Sequence, residues 1–418
     1  MVKRLELAKS SQKTLLNLTP NLKEKVLLDM LEEVKNAKFE ILEANKLDVM
    51  AAKSANLNSA LIERLTLDDK KIDAILASLL DTARLKDPVG VVLDGWVNYA
   101  GLKFQKVAIP IGVVCVIYES RPNVTAEVAS LCFKSSNVCI LKGGKEAKHS
   151  NLAIVSALHK ALVKNGIDKN VITFLDDFKR EDLINLIKMD KFIDVIVPRG
   201  GSELVKFISQ NSSIPVIKHD KGMCHIYIDE SANLANALKI CINAKCQKPS
   251  ACNAVETLLI HKNIANEFLL NLANEFVNLG VEIYGCEKTV AFLSKQIPNL
   301  SIKKANDESY DTEYLDMKIN VKIVHNLDEA LDHIERFSSS HSEAIISENF
   351  TNIERFLNEV DSACLYANAS TRFSDGYEFG FGAEVGISTN KLHARGPMGL
   401  SELTTYKYKI IGQGQVRK

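Results

Sequence analysis

The amino-acid sequence predicts an α/β protein with two domains, each built around a parallel sheet. From residue 111 onward, short β-branched runs alternate with stretches of helical period, which is the pattern of βαβ units. The chain has 418 residues. A single hydrophobic core seldom grows to that size, so two domains are expected.

The elements follow from the spacing of apolar residues. In residues 1–85 they recur at intervals of three and four, as in LKEKVLLDMLEEVKNAKFE, which predicts helices. The runs GVVCVIY, NVCIL, NVITFL and FIDVIVP predict the strands of the first sheet. A second alternation starts at Cys224–Asp229 and continues through AVETLLIH, NVKIV, SEAIIS and CLYANA, which indicates a second α/β domain.

Two segments alternate without belonging to either sheet. The stretch VVLDGWVNYAGLKFQKVAI, which contains the single tryptophan Trp96, has the character of an exposed hairpin. The segment LTTYKYKII near the C-terminal end is a matching strand. The two segments predict a hairpin and a strand that matches it.

Charge and composition narrow the class of protein. The 52 lysines and arginines balance 52 acids, so nothing favours nucleic acid or membrane as a partner, and a small-molecule substrate is expected. The N-terminal segment lacks the apolar stretch of a secretory signal, and the run Ala108–Tyr118 is shorter than the ~18 residues that cross a bilayer. Nine scattered cysteines without a CxxC pair favour reduced thiols and no metal site. We therefore expect a cytoplasmic protein.

Two turns at strand ends are candidate phosphate sites. Gly200, Gly201 and Ser202 open a helix directly after FIDVIVP, where backbone N–H groups attract anions, although an ordinary tight turn has the same pattern. Lys142 and Lys145 follow NVCIL and suit an adenosine ribose with a 2′-phosphate. The alternative is a solvated turn. The usual GxGxxG fingerprint is absent, so a dinucleotide would bind without it.

Candidate groups for chemistry are an asparagine and a cysteine. Asn123 in YESRPNVT suits either a helix N-cap or an amide that donates to a developing oxyanion. Cys246 ends a helical stretch, whereas Cys252 follows KPSA in a tight loop before a strand. Loops on rigid scaffolds present nucleophiles, and Lys248 could help to hold a thiolate. Cys252 is therefore the favoured nucleophile.

Several motifs together resemble a known family. The segments PIGVVCVIYESRPNVT, PRGGSELV, NAKCQKPSACNAVETLLIH, FGFGAEVGIST and HARGPMGLSELTTYK are similar to those of the γ-glutamyl phosphate reductase family, within the aldehyde dehydrogenase superfamily, over nearly the full length. The resemblance implies an aldehyde dehydrogenase-like fold with two Rossmann-like domains and an oligomerisation flap. Its expected bounds are residues 1–88 and 108–222 for the NADPH-binding domain, 223–398 for the catalytic domain, and 89–107 and 399–418 for the flap.

The resemblance also implies an activity. The family reduces L-glutamate 5-phosphate with NADPH to L-glutamate 5-semialdehyde and phosphate through a cysteine thioester. This is the second step of proline synthesis, and the product cyclises to 1-pyrroline-5-carboxylate. We therefore expect a homo-oligomer, with glutamate 5-kinase, which makes the unstable acyl phosphate, as a candidate contact.

Position by position, the resemblance places the nucleophile at Cys252 and the oxyanion donor at Asn123. It places the contact to the adenosine ribose at Lys142, the turn near the pyrophosphate at Gly200–Ser202, and the acid that holds the nicotinamide ribose at Glu313.

Two further assignments concern charge. NAD-preferring members often carry a glutamate where this chain has Lys145, which supports NADP. A substrate with a carboxylate and a phosphate needs cations, and the candidates are Arg121, Arg372 and Arg395, each of which could equally form a salt bridge.

One departure bears on the type of reaction. Hydrolytic members of the superfamily carry a glutamate that activates water, and the matching segment here is VIKHDKGMCH, with Lys218 and His219. A reductase must protect its thioester from water, so this absence agrees with reduction. The alternatives are a hydrolytic NAD(P)-dependent aldehyde dehydrogenase, a thiol hydrolase that pairs Cys252 with His261 or His219, and a binding protein without activity.

Overall fold

The structure is a computed structural model that describes residues 1–177, 181–218, 221–297 and 300–417. The chain forms two compact units. The first unit contains Met1–Lys218, Gly380–Ile387 and Pro397–Lys418, and the second contains His219–Phe379 and Ser388–Gly396.

The first unit begins with helices, as the sequence predicts. The second helix shows how such a helix begins. Pro20 is its first residue, and the Thr19 side chain accepts a hydrogen bond from the Leu22 N–H at 3.3 Å. The N-terminal helices are α1 Val2–Leu15, α2 Pro20–Asn36, α3 Lys38–Ser54, α4 Ser59–Leu65 and α5 Asp69–Arg84.

A small antiparallel sheet follows in the order β1-β2-β16. Its strands are β1 Val92–Val97, β2 Lys103–Pro110 and β16 Thr404–Ile411. Trp96 stacks on its cross-strand partner Phe104 with ring centroids 5.1 Å apart, and the Tyr408 ring meets Trp96 edge-on at 5.9 Å. Every residue of β1 is exposed. The predicted hairpin and its matching C-terminal strand are confirmed.

The larger sheet of the first unit is parallel, with the order β5-β4-β3-β6 in the described residues. Its strands are β3 Val113–Tyr118, β4 Val138–Lys142, β5 Ile172–Phe174 and β6 Val195–Arg199. Its helices are α6 Pro122–Lys134, α7 Lys148–Lys164, α8 Asp182–Leu186 and α9 Ser202–Asn211. The central strand β3 is buried at every position, which explains its continuous apolar run.

The second unit contains a parallel sheet whose described strands follow the order β10-β9-β11-β8-β7-β12-β13. Alternate residues of one strand belong to two different cores: Leu258 packs on one face of the sheet and Leu259 on the other. The strands are β7 Cys224–Ile228, β8 Val255–His261, β9 Glu282–Gly285, β10 Ile302–Lys304, β11 Lys318–Val324, β12 Ser342–Ile346 and β13 Cys364–Ala367.

Helices cover both faces of this sheet. They are α10 Leu234–Cys246, α11 Lys262–Asn278, α12 Glu287–Gln296, α13 Asp307–Tyr310, α14 Leu327–Phe337 and α15 Phe350–Glu359. Two short strands, β14 Gly386–Ser388 and β15 Gly396–Met398, complete the described strands. None of the helices in the described ranges is long and apolar enough to span a membrane.

The pairing of β7 with β8 contains an irregularity. Cys224 is the partner of Val255, whereas His225 is the partner of Thr257, so Glu256 is an extra residue in β8. Such a bulge changes the direction of a side chain locally.

Candidate active site

The loop that carries Cys252 lies between α10 and β8. The Ala251 N–H donates to the Lys248 carbonyl at 3.1 Å, and the Ala254 N–H donates to the Ala251 carbonyl at 3.0 Å, so residues 247–254 form tight turns. Cys252 is half-buried there. The sequence-based prediction of a cysteine in a tight loop before a strand is confirmed, and its catalytic role stays a prediction.

Cys246 has a different setting at the C-terminal end of α10. Burial raises the pKa of its thiol, against the lowering effect of the neighbouring Lys245. A thiol with a raised pKa is less often the reactive thiolate at neutral pH. All nine cysteines lie in the described part of the chain, and each is outside any disulfide.

The main chain of Cys252 is held from behind by the segment that leads into β7. The Cys224 thiol donates to the Cys252 carbonyl oxygen at 3.4 Å. A Cβ atom on residue 222 would overlap this same carbonyl, so Gly222 lets the two segments come together. Burial raises the pKa of Cys224 well above its usual value, which keeps it a thiol and therefore a donor.

Glu313 joins this arrangement through Gly222. Its carboxylate accepts a hydrogen bond from the Gly222 N–H at 2.9 Å. Burial raises the pKa of Glu313. The structure thus connects two predicted site residues, Cys252 and Glu313, through one glycine.

A buried ion pair spans the base of the cysteine loop. The Lys245 ammonium lies 2.8 Å from a carboxylate oxygen of Glu256, and both side chains are at most 1% exposed. Burial raises the pKa of Glu256 to about 7, against the lowering effect of Lys245. This pair was not predicted from the sequence. The sequence does contain a signal for it, namely Glu256 inside the apolar strand AVETLLIH. An acid in a buried strand needs a partner of opposite charge.

Of the predicted substrate cations in the second unit, Arg372 lies beside the cysteine loop and Arg395 is held by an acid. The Arg372 Nε donates to the Gln247 side chain at 2.8 Å, at the start of the loop. Arg395 donates from Nη1 to the Asp361 carboxylate at 2.6 Å and from Nη2 to its carbonyl at 2.9 Å. A turn near Arg372 also fixes the loop, since Asn253 donates to the Ser374 carbonyl at 2.8 Å.

In the first unit, Lys142 and Lys145 line one small cavity of about 40 Å³. Lys142 ends β4, and burial lowers its pKa. Lys148 at the start of α7 lines the same cavity. The structure therefore brings together the two predicted lysines and adds a third cation and one acid, Asp176.

The turn predicted to bind phosphate caps α9. Gly201 is the N-cap of this helix and Ser202 its first residue. The Gly201 N–H donates to the Glu119 carboxylate at 2.9 Å, and a Cβ atom on Gly200 would crowd the same carboxylate. This helix end thus already holds an anion, supplied by the chain itself.

Asn123 lies in the first turn of α6. The N-cap is Arg121, and Pro122 is the first helical residue. The N-cap alternative for Asn123 is therefore wrong, because proline favours the first helical position and moves the cap one residue before it. The Asn123 amide instead donates to the Glu127 carboxylate at 3.0 Å.

His219 lies outside the described residues, and Lys218 is the last residue described before it. Within the described ranges, no group of three or more His, Cys, Asp or Glu side chains could hold a metal ion.

Comparisons with known proteins agree with one another. The model of the aldehyde dehydrogenase family matches residues 3–289. The chain is 52% identical over 414 residues to the γ-glutamyl phosphate reductase of Nautilia profundicola and 54% identical over 414 residues to that of Aliarcobacter butzleri, with 99% of each chain covered. It matches the crystal structure of γ-glutamyl phosphate reductase from Thermotoga maritima with a TM-score of 0.95 at 43% identity, covering 100% of this chain and 99% of that one.

Proposed function

Because this chain belongs to the aldehyde dehydrogenase family, and within it to the γ-glutamyl phosphate reductases, we propose that it reduces an acyl phosphate through a thioester on Cys252. The substrate is L-glutamate 5-phosphate, and the products are L-glutamate 5-semialdehyde and phosphate. This reaction is the second step of proline biosynthesis. The semialdehyde then cyclises to 1-pyrroline-5-carboxylate.

The observation that carries the proposal is the setting of Cys252. Cys252 lies half-buried in a tight loop, and its carbonyl oxygen accepts a hydrogen bond from the Cys224 thiol. The proteins that this chain resembles over nearly its full length are named γ-glutamyl phosphate reductases. The Cys252 thiolate attacks the acyl carbon, the bond from that carbon to the phosphate oxygen breaks, and phosphate leaves with the electron pair. A thioester on Cys252 remains.

A nicotinamide cofactor is the reductant of the family, and the residues present fit one. The Gly201 N–H donates to the Glu119 carboxylate, and the pyrophosphate would take the place of this carboxylate at the helix end. Lys142 would contact the adenosine ribose, and Glu313 would hold the nicotinamide ribose. When bound, the cofactor supplies the hydride that reduces the thioester carbon. Cys252 leaves as a thiolate when the resulting thiohemiacetal collapses to the aldehyde.

The phosphorylated cofactor NADPH is the proposed form. Lys145 and Lys148 line the cavity next to Lys142, and two cations there favour a 2′-phosphate over a bare hydroxyl group.

Asn123 is the proposed donor to the oxyanion. Its amide nitrogen carries two N–H groups, and the hydrogen bond from one of them to Glu127 orients the side chain. The second N–H and the Cys252 backbone N–H would stabilise the tetrahedral oxyanions, each such donor being worth about 3 kcal/mol in other enzymes. Among the cations, Arg372 beside the cysteine loop is favoured over Arg395 as a substrate contact, because the Asp361 carboxylate and carbonyl already accept hydrogen bonds from both terminal nitrogens of Arg395. Arg121, at the N-cap of α6, is the third candidate.

We further propose a homo-oligomer assembled through the β1-β2-β16 sheet. This sheet exposes side chains that are apolar or aromatic, namely Val97, Trp96, Tyr406, Tyr408, Ile410 and Ile411. Exposed apolar surface of this kind marks interaction sites. Sedimentation as a monomer at micromolar concentration would refute the homo-oligomer.

Contact with glutamate 5-kinase is proposed on chemical grounds alone, because the acyl phosphate is unstable. Co-sedimentation of the two proteins tests this contact.

The test of the function is NADPH consumption with glutamyl phosphate made in place by glutamate 5-kinase. We expect loss of NADPH absorbance that needs the kinase, its ATP and this protein together. Release of phosphate without NADPH oxidation would instead indicate a thiol hydrolase.

A further inference from the structure

Glu256 lies in an unusual position for an acid. It belongs to β8, near the centre of the second unit's sheet, and only 1% of it is exposed. The bulge in the β7–β8 pairing leaves Glu256 without a cross-strand partner on β7 and so redirects its side chain. A carboxylate in such surroundings needs partners for both oxygens.

One oxygen binds the far end of the cysteine loop. Lys245 is in the last turn of α10, before the loop begins, and Glu256 is the second residue of β8, after the loop ends. Their contact of 2.8 Å therefore joins the two ends of the segment that carries Cys252.

The other oxygen binds the segment that carries Glu313. The Leu315 N–H donates to Glu256 Oε1 at 3.3 Å. Leu315 has a φ of +51°, which is uncommon for a residue with a branched side chain and persists only where neighbouring contacts impose it. A second connection runs through β11: the Asn320 amide donates to the Glu256 carbonyl at 3.3 Å and accepts from the hydroxyl of Tyr314, the residue after Glu313, at 3.1 Å.

These contacts form a closed circuit. From Glu256 the path runs through Leu315 to Glu313, then through the Gly222 N–H to the packing of Gly222 on the Cys252 carbonyl. From Cys252 the path returns to Glu256 along the cysteine loop, which leads directly into β8. A single carboxylate thus fixes both the nucleophile loop and the backbone that presents Glu313.

Stability alone does not account for this pair. Removing two charges from water costs about as much as their attraction returns, and apolar replacements of buried ion pairs are often neutral or stabilising. The direct consequence of the pair is therefore geometric.

We propose that Glu256 is a positioning residue that sets the Cys252 loop and the Glu313 segment relative to each other. The proposal rests on the proposed function, in which Cys252 is the nucleophile and Glu313 holds the nicotinamide ribose. It adds a residue that touches neither substrate nor cofactor and acts through two that do.

The test uses two variants. Glu256→Gln keeps the shape of the side chain but offers an acceptor to only one of its two partners. The double variant Lys245→Met, Glu256→Leu removes both charges together, so it should fold, yet it lacks any acceptor for the Leu315 N–H. Asp87→Asn is the matched control, because it breaks the buried Lys23–Asp87 pair of the first unit, whose atoms are 2.7 Å apart.

Two readouts distinguish positioning from stability. For both Glu256 variants we expect NADPH affinity, measured by fluorescence titration, to weaken about tenfold, as for loss of a hydrogen bond to a charged group. We also expect the rate of Cys252 alkylation by iodoacetamide to change at least threefold. A change of about that size corresponds to the loss of one weak hydrogen bond. The Asp87→Asn control should lower only the melting temperature.

Wild-type affinity and wild-type alkylation in the folded double variant would show that the pair is merely structural and would overturn the proposal. If the wild-type protein consumes no NADPH with glutamyl phosphate, the proposed function fails. The alkylation comparison still decides whether Glu256 positions the cysteine loop.

Discussion

The thiol of Cys224 donates a hydrogen bond to the carbonyl oxygen of Cys252 over 3.4 Å. The donor belongs to β7 and the acceptor to the loop before β8, so the first strand of the second unit's sheet fixes the main chain of the proposed nucleophile. A main-chain contact of this kind orients the thiol without occupying the space where a substrate would react.

Replacement of Cys224 by alanine removes this donor. We expect kcat/KM to fall about fivefold, the effect of one weak hydrogen bond, with NADPH affinity unchanged. The matched control is Cys241→Ala, which makes the same deletion in the core of α10. Equal losses of activity in the two variants would assign the effect to packing alone.

Replacement of Cys252 by alanine should abolish reduction and leave NADPH affinity nearly unchanged, because the proposed adenosine and pyrophosphate contacts belong to the first unit. Steady-state kinetics and a fluorescence titration measure the two quantities. Cys246→Ala should retain activity. The assignment is wrong if Cys246→Ala, and not Cys252→Ala, is inactive.

Lys145 decides the proposed cofactor preference. Lys145→Glu should weaken NADPH far more than NADH, because repulsion of the 2′-phosphate replaces attraction. The ratio of kcat/KM for the two cofactors measures this. Lys160→Glu makes the same charge change at an exposed site on α7 and should leave the ratio as it is. An unchanged ratio in Lys145→Glu would make this lysine an ordinary surface residue.

The reverse reaction tests how the thioester is resolved. With glutamate semialdehyde and NADP⁺, sustained oxidation should require inorganic phosphate, and without phosphate only a burst near one turnover per active site should appear. The reason is that a positioned general base is worth about 10²- to 10⁴-fold for attack by water, and the sequence lacks the glutamate that supplies it. Equally fast oxidation to free glutamate in phosphate-free buffer would establish a hydrolytic dehydrogenase.

The stability of the second unit should depend on pH through Glu256. Its folded pKa is about 7 against a usual value of 4.5, so between these values the folded chain holds a proton that the unfolded chain releases. Stability from this group is therefore present at low pH and decreases as the pH rises, by about 3 kcal/mol at most. The charged and titratable neighbours are Lys245, Glu313 and Tyr314.

Denaturant unfolding of the wild type and Glu256→Gln, at several pH values from about 5 to 8, measures this dependence. The wild type should lose stability relative to the variant as the pH rises, since glutamine resembles the protonated acid. If the wild type instead gains stability relative to the variant as the pH rises, Lys245 outweighs burial and lowers the pKa of Glu256.

The sequence predicted those features that depend on local pattern. The N-terminal helices, the strands of the first sheet and five strands of the second follow from apolar spacing and are confirmed. Strands β9 and β10 were missed because they are short and lie toward one edge of the sheet, where Lys303 and Lys304 are exposed and the alternation is weak.

The site was predictable to the extent that its residues follow strand and helix ends. Cys252, Lys142 and Gly201 lie at such positions. Glu256 was not predictable, because its burial depends on a bulge and on Lys245 from another element. The N-cap interpretation of Asn123 failed because Pro122 determines where α6 begins.

The small sheet of the first unit has a consequence for synthesis of the chain on the ribosome. Pro110 of β2 pairs with Thr404 of β16, and Asn137, next to β4, donates to the Leu403 carbonyl at 2.8 Å. These partners emerge from the ribosome only after the whole second unit has been made. Until then β2 presents an open edge, so nascent chains are exposed to strand exchange with one another during that interval.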